Sequence, residues 1–167
     1  MNTDKMEKNI KSTKRLTVVC SYFYPKIGGL ETVAYTTARK LHESGEYKVS
    51  IITSNYEGVG YKKDKIDGMI VHRLPIWFKF SNTPINLMWY FWIKRIFKEE
   101  QTDIVHTHSP VPFMVDIAVR IAKKNKIPTV VTYHSGSMKK DSWLMDPIIY
   151  IYEEYFLRRL FKIATIV

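Results

Sequence analysis

The segment Tyr24-Pro25-Lys26-Ile27-Gly28-Gly29-Leu30-Glu31 sets paired glycines at the mouth of a helical pattern. Glycine lets the backbone turn sharply and approach a ligand closely, and the free N–H groups at the positive end of a helix attract an anion such as phosphate. A plain tight turn would use the same residues. The spacing is not GxGxxG, so no dinucleotide fingerprint is present. Glu31 in the first turn suits the helix dipole as a surface residue.

Imidazoles form the second group. Asp103-Ile104-Val105-His106-Thr107-His108-Ser109-Pro110 is followed further on by Thr132-Tyr133-His134-Ser135-Gly136-Ser137. Strand alternation puts His106 and His108 on the same side. Three histidines near one edge invite a metal ion, yet neither HExxH nor CxxC is present and Asp103 lies at the wrong end of its strand. No metal ligand is assigned. Hydrogen bonding to loop backbone or to ligand hydroxyls suits these rings better, with His106 as a satisfied core histidine.

The third group spans Arg73 to Lys98, which contains Lys79, Lys94, Arg95 and eight aromatic residues but no acid. Burial against the sheet or a partner domain, contact with anionic lipid headgroups, and a stacking platform for nucleic acid all compete here. Trp89, Trp92, Lys94 and Arg95 are the candidate contacts to membrane or acceptor. Nucleic acid ranks last, because no RNP, KH or helix-turn-helix signature accompanies the charge.

These groups need a scaffold. The chain has 167 residues, 46% hydrophobic and 25% charged, which suits one domain with a real core. Its net charge of +10 points to an anionic partner. The single cysteine, Cys20, excludes an internal disulfide and favours a reducing, cytoplasmic compartment. The longest apolar run, Leu87 to Ile93, is far below the ~20 residues that cross a bilayer. Residues 1–15 read as a basic flexible tail ahead of one domain over 16–167.

Within that domain, strand-like Leu16–Ser21, Lys48–Thr53, Met69–Val71, Ile104–Thr107 and Thr129–Tyr133 alternate with helical patterns. Leu30–Ser44 is helical with Gly45 at its C-terminal cap, and Asp67-Gly68 turns a hairpin. Thr83-Pro84 is expected to open a helix to about Glu100, Pro112 one to about Lys124, and Asp146-Pro147 one to about Phe161. This order predicts a Rossmann-like, doubly wound parallel sheet in three α/β/α layers. The chain stops inside strand-like Ala164–Val167, which reads as the first half of a longer, two-domain protein.

The order and spacing of these motifs resemble the N-terminal half of a GT-B glycosyltransferase of family 4. Tyr24-Pro25, Gly28-Gly29-Leu30-Glu31, Asp103 to His108 and Val131 to Gly136 carry the resemblance, with Tyr152-Glu153, Arg158-Arg159 and Ile163 to Val167 at the end. It implies an acceptor-binding lobe that faces a second, nucleotide-sugar-binding lobe, which this chain lacks. By position, Gly28 and Gly29 would present backbone to the donor diphosphate, and His134 would lie near the transferred sugar as the catalytic residue. His108, Ser109, Ser135 and Gly136 would line the cleft. The implied chemistry is transfer from a nucleotide-sugar to a sugar or lipid-linked acceptor with retained configuration, needing no cofactor. An anionic membrane surface, met peripherally from the cytoplasmic side, is the further expected partner.

Overall fold

The computed structural model describes residues 13–80, 83–109, 112–134 and 145–166. In chain order its elements are β1 (Lys14–Val19), α1 (Gly29–Glu43), β2 (Tyr47–Ser54), β3 (Lys62–Ile66), β4 (Met69–Leu74), β5 (Phe78–Phe80), β6 (Thr83–Ile85) and α2 (Trp89–Glu99). Then come β7 (Ile104–Ser109), α3 (Met114–Lys124), β8 (Thr129–Tyr133) and a helical run of α4 (Met145–Ile151), a π-helical stretch (Tyr152–Leu157) and α5 (Arg158–Ile163).

Leu16 to Val19 of β1 and Val49 to Ser54 of β2 are buried without interruption, as strands covered on both faces must be. The main sheet has the order β3-β4-β2-β1-β7-β8, parallel throughout except for the β3–β4 hairpin. Asp67 and Gly68 make the hairpin turn, both with left-handed backbone (φ 47° and 83°), and pair Ile66 with Met69. Gly45, at φ 71°, ends α1 as expected.

The two faces carry different helices. Val18, Cys20, Ile51 and Val71 pack against Ala34 and Ala38 of α1, whose small side chains let the helix lie close. Val19, Ile52, Leu74 and Val105 pack on the other face against α2 and α3, and Val131 meets α3 and α5. The result is the expected three-layer, doubly wound domain. Because α1 after β1 and α3 after β7 pack on opposite faces of the sheet, the carboxyl ends of these neighbouring strands mark the switch point, where open α/β sheets place their ligand crevice.

Several boundaries differ from the expectation. Lys14 and Arg15, assigned to the tail, belong to β1: Lys14 N–H donates to the Glu46 carbonyl and Arg15 N–H to the Asp103 carboxylate. Thr83-Pro84 does not open α2. Thr83–Ile85 pairs instead with Phe78–Phe80 as an antiparallel ribbon, Pro84 lying opposite Lys79. The start of α2 is set by Asn86, whose Oδ1 accepts the Met88 N–H at 2.8 Å while its Nδ2 donates to the Pro75 carbonyl. Pro112 precedes α3 by two residues, and Asp116 accepts the Phe113 N–H at 2.8 Å. Of the expected last strand, the described residues form a single parallel bridge, Val130 with Ile166.

Candidate functional site at the carboxyl edge of the sheet

Alternation along β7 turns His106 and His108 to the α1 face, and the register sets His108 beside Thr132 of β8. His134 follows β8 and is drawn back to β7 by its N–H, which donates to the Ser109 carbonyl at 3.1 Å. The three imidazoles therefore stand in a row. His106 Nε2 lies 2.8 Å from the Thr132 hydroxyl, and the His106 and His108 rings are 4.5 Å apart. His108 Nδ1 is 2.8 Å from His134 Nε2, and those two rings lie nearly coplanar, edge to edge, with centroids 5.1 Å apart and planes 12° apart.

Burial sets their charge. All three imidazoles are pushed below the ordinary histidine range by burial first, and His108 also by the neighbouring His106 and His134, down to about 3. They are neutral in the folded protein at physiological pH and serve as hydrogen-bonding groups. Each binds a proton more readily when the chain unfolds, so acid favours unfolding. Stability is lost as pH falls through the unfolded histidine value of about 6.5, and the loss continues until the folded value is reached. His108 alone is expected to remove about 2 kcal/mol between pH 7 and pH 5, and His108→Asn to flatten the pH dependence of the urea midpoint by that amount. An unchanged slope would show that His108 titrates normally.

His108 and Ser109, expected to line the cleft, are 1% and 0% exposed. They lie beneath His134, the half-buried member of the row. Ser135 and Gly136 lie outside the described residues. Among the described residues no group of three His, Cys, Asp or Glu side chains is arranged to hold a metal ion.

The glycine turn lies on the same edge. Gly28 caps α1 in extended conformation (φ −173°), without a side-chain cap over the first turn, and Gly29 is the first helical residue. Neither uses left-handed backbone, so no φ strain protects these positions. A Cβ on Gly28 would meet only the flexible end of the Glu31 side chain, which folds back over the turn and can swing aside, and one on Gly29 would meet nothing within 4 Å. β1 and β8 flank β7, and at ~4.8 Å per strand the two ends lie roughly 10 Å apart.

Sequence reasoning missed the residue that holds this turn in place. Arg73 of β4 is 2% exposed; its Nε donates to Asp64 of β3 at 2.6 Å and its Nη2 to the Tyr24 carbonyl at 2.7 Å. A signal existed, since a two-residue Asp-Gly turn fixes the hairpin register and places Asp64 diagonally across from Arg73.

The aromatic segment rearranges. Trp89, expected at a membrane or acceptor surface, is fully buried, with Nε1 donating to the Pro75 carbonyl. It shares the buried stripe of α2 with Ile93, Ile96 and Phe97. Trp92 is half-buried and stacks on Tyr61 at 4.9 Å. The exposed rings are Trp77, Phe78 and Phe80 of the ribbon and Phe91 of α2, between 51% and 61% exposed, with Lys94, Arg95 and Lys98 exposed further along the helix.

A parallel sheet of this order, with helices on both faces, is a Rossmann-like lobe of the GT-B type. MurG of Acinetobacter baumannii shares the fold, with a TM-score of 0.59 at 12% identity over 92% of this chain and 40% of that one. The sequence model of Glycosyltransferase Family 4 matches residues 27–166, and the chain belongs to that family. It is 30% identical over 128 residues to one subunit of the human phosphatidylinositol N-acetylglucosaminyltransferase, covering 74% of this chain and 26% of that protein. It is also 30% identical over 122 residues to the GPI3 subunit of the Saccharomyces cerevisiae enzyme, covering 72% and 27%. The chain thus spans about a quarter of the length of these relatives. No helix among the described residues is long and apolar enough to cross a membrane.

Proposed function

We propose that this chain is the acceptor-side lobe of a retaining glycosyltransferase that moves a sugar from a nucleotide-sugar to a hydroxyl of a lipid-borne acceptor in glycolipid synthesis. The observation that supports this reading is the shared edge: the α1 N-terminus, over which the Glu31 carboxylate folds, and His134 both follow the carboxyl ends of parallel strands, and the Glu31 side chain would swing aside for a diphosphate. The first supplies backbone N–H groups toward a departing diphosphate, and the second a neutral imidazole near the transferred sugar. A second lobe would hold the nucleotide. In this reading the acceptor hydroxyl attacks on the same face as the leaving group, with the diphosphate accepting the proton. The reaction in this reading needs no cofactor.

Three features favour a lipid-borne acceptor. Relatives at 30% identity bear the name of phosphatidylinositol as substrate. The exposed Trp77, Phe78 and Phe80 extend from the carboxyl end of β4, on the edge that holds the crevice. The cationic half of α2 and the +10 charge complement anionic headgroups. The protein would then work peripherally on the cytoplasmic face of a membrane.

The test incubates the complete polypeptide with radiolabelled nucleotide-sugars and anionic vesicles carrying a lipid-linked polyol. Label in the lipid fraction is expected, with stronger cosedimentation on anionic than on neutral vesicles. Steeply salt-dependent binding to nucleic acid without any transfer would instead make this a basic binding module.

A further inference from the structure

A neutral imidazole carries one proton for two nitrogens, so the partners of His108 decide where its proton sits. His108 Nδ1 faces His134 Nε2 at 2.8 Å, and its other nitrogen, Nε2, is buried with no hydrogen-bond partner among the described residues. Only one hydrogen fits between the two rings. If His134 supplied it, the proton of His108 would sit on Nε2 as a buried N–H with no acceptor, an arrangement that folded proteins rarely tolerate. If His108 supplies it from Nδ1, the buried Nε2 is a bare lone pair, and no donor is stranded.

We propose that His108 is a positioning residue for His134: it donates from Nδ1 to His134 Nε2, holds that ring in place, and leaves the His134 proton on Nδ1. The half-buried His134 then meets a ligand in the crevice as a hydrogen-bond donor. It is suited to an oxygen acceptor such as a sugar hydroxyl or ring oxygen and unable to take a proton there while Nδ1 is occupied. One further contact anchors the residue, the backbone bond from His134 to the Ser109 carbonyl, and the near-coplanar rings, 12° apart, are aligned for the in-plane Nδ1···Nε2 bond. His106 supports the row from behind, with its Nε2 at the Thr132 hydroxyl. The identity of the ligand rests on the glycosyl-transfer reading; the tautomer does not.

The first test needs no activity. A long-range proton–nitrogen spectrum of the chain, labelled with nitrogen-15 at histidine, separates protonated from bare ring nitrogens. Protonated Nδ1 and bare Nε2 are expected for both His108 and His134; a protonated Nε2 on His134 overturns the proposal. His108→Asn, whose side-chain amide can stand where Nδ1–H stood, should keep the His134 pattern, and His108→Leu should release it. In the complete enzyme, His108→Leu is expected to turn over at least about tenfold more slowly than His108→Asn at similar donor KM, because a loosened ring loses its alignment. Equal kcat for the two folded variants would also overturn the proposal. A His134→Ala enzyme with full turnover would remove the functional reading of the site, while the tautomer would still be judged by the spectrum.

Discussion

Replacing His134 by alanine in the complete enzyme is expected to lower kcat by about 10²–10³-fold while leaving the fold intact, which is the usual cost of removing one preorganised donor from a water-poor site. The ring is half-buried at the end of β8, so its removal leaves a space open to solvent. The structural loss is the bond with His108, whose Nδ1–H is left for solvent entering the space to satisfy, about 1–3 kcal/mol. The backbone bond from residue 134 to the Ser109 carbonyl survives the change. Donor KM should move little, since in this reading the second lobe carries the nucleotide. A thermal unfolding curve close to the parent's, together with the fall in kcat, would separate chemistry from folding. Unchanged turnover would remove His134 from the reaction.

The parts of this site that local pattern controls were legible in the chain. The alternation His106-Thr107-His108 forces both rings onto one face whatever surrounds them, and Asp67-Gly68 forces a tight hairpin, because left-handed backbone at two successive positions favours such residues. The uninterrupted apolar runs of β1 and β2 could only be strands covered on both sides. The meeting of His134 with His108 followed from the doubly wound order, in which successive strands run parallel side by side.

Elsewhere a local signal lost to a contact further along the chain. Thr83-Pro84 has a sound helix start in isolation, yet pairing with Phe78–Phe80 outweighed it, and the capping role passed to Asn86. Trp89 looked like an interfacial ring by composition. Its spacing to Ile93, Ile96 and Phe97 marks the buried stripe of a helix, and that period was the better guide. The β1 turn is built from extended and helical backbone, so its glycines are not held there by left-handed conformation. What holds it is a side chain from a strand two places away, which no local pattern shows.

That side chain gives the largest expected effect on stability. Arg73→Met should destabilise the protein by about 3 kcal/mol, at the low end of the cost of breaking a buried ion pair. The guanidinium is 2% exposed, and its loss removes the bond to Asp64 and the bond to the Tyr24 carbonyl together. Burial works against the charged form of Asp64, but Arg73 and Lys62 outweigh it and hold the carboxyl below its usual range. Lys62, 3.2 Å away, and the partial exposure of Asp64 soften the loss, which is why the upper end of the range is not expected. Asp64→Ala alone should cost a comparable amount, because it strands a buried cation. The double variant should cost clearly less than the sum of the two single ones, and urea midpoints for the three variants measure that coupling. Additive losses would mean that Arg73 acts chiefly through the Tyr24 carbonyl, and a single Arg73→Met loss below about 0.5 kcal/mol, the usual range of a surface substitution, would show that neither contact holds the turn. Since Tyr24 begins the segment that ends at Gly28, the same substitution also loosens the edge on which the N-terminus of α1 sits.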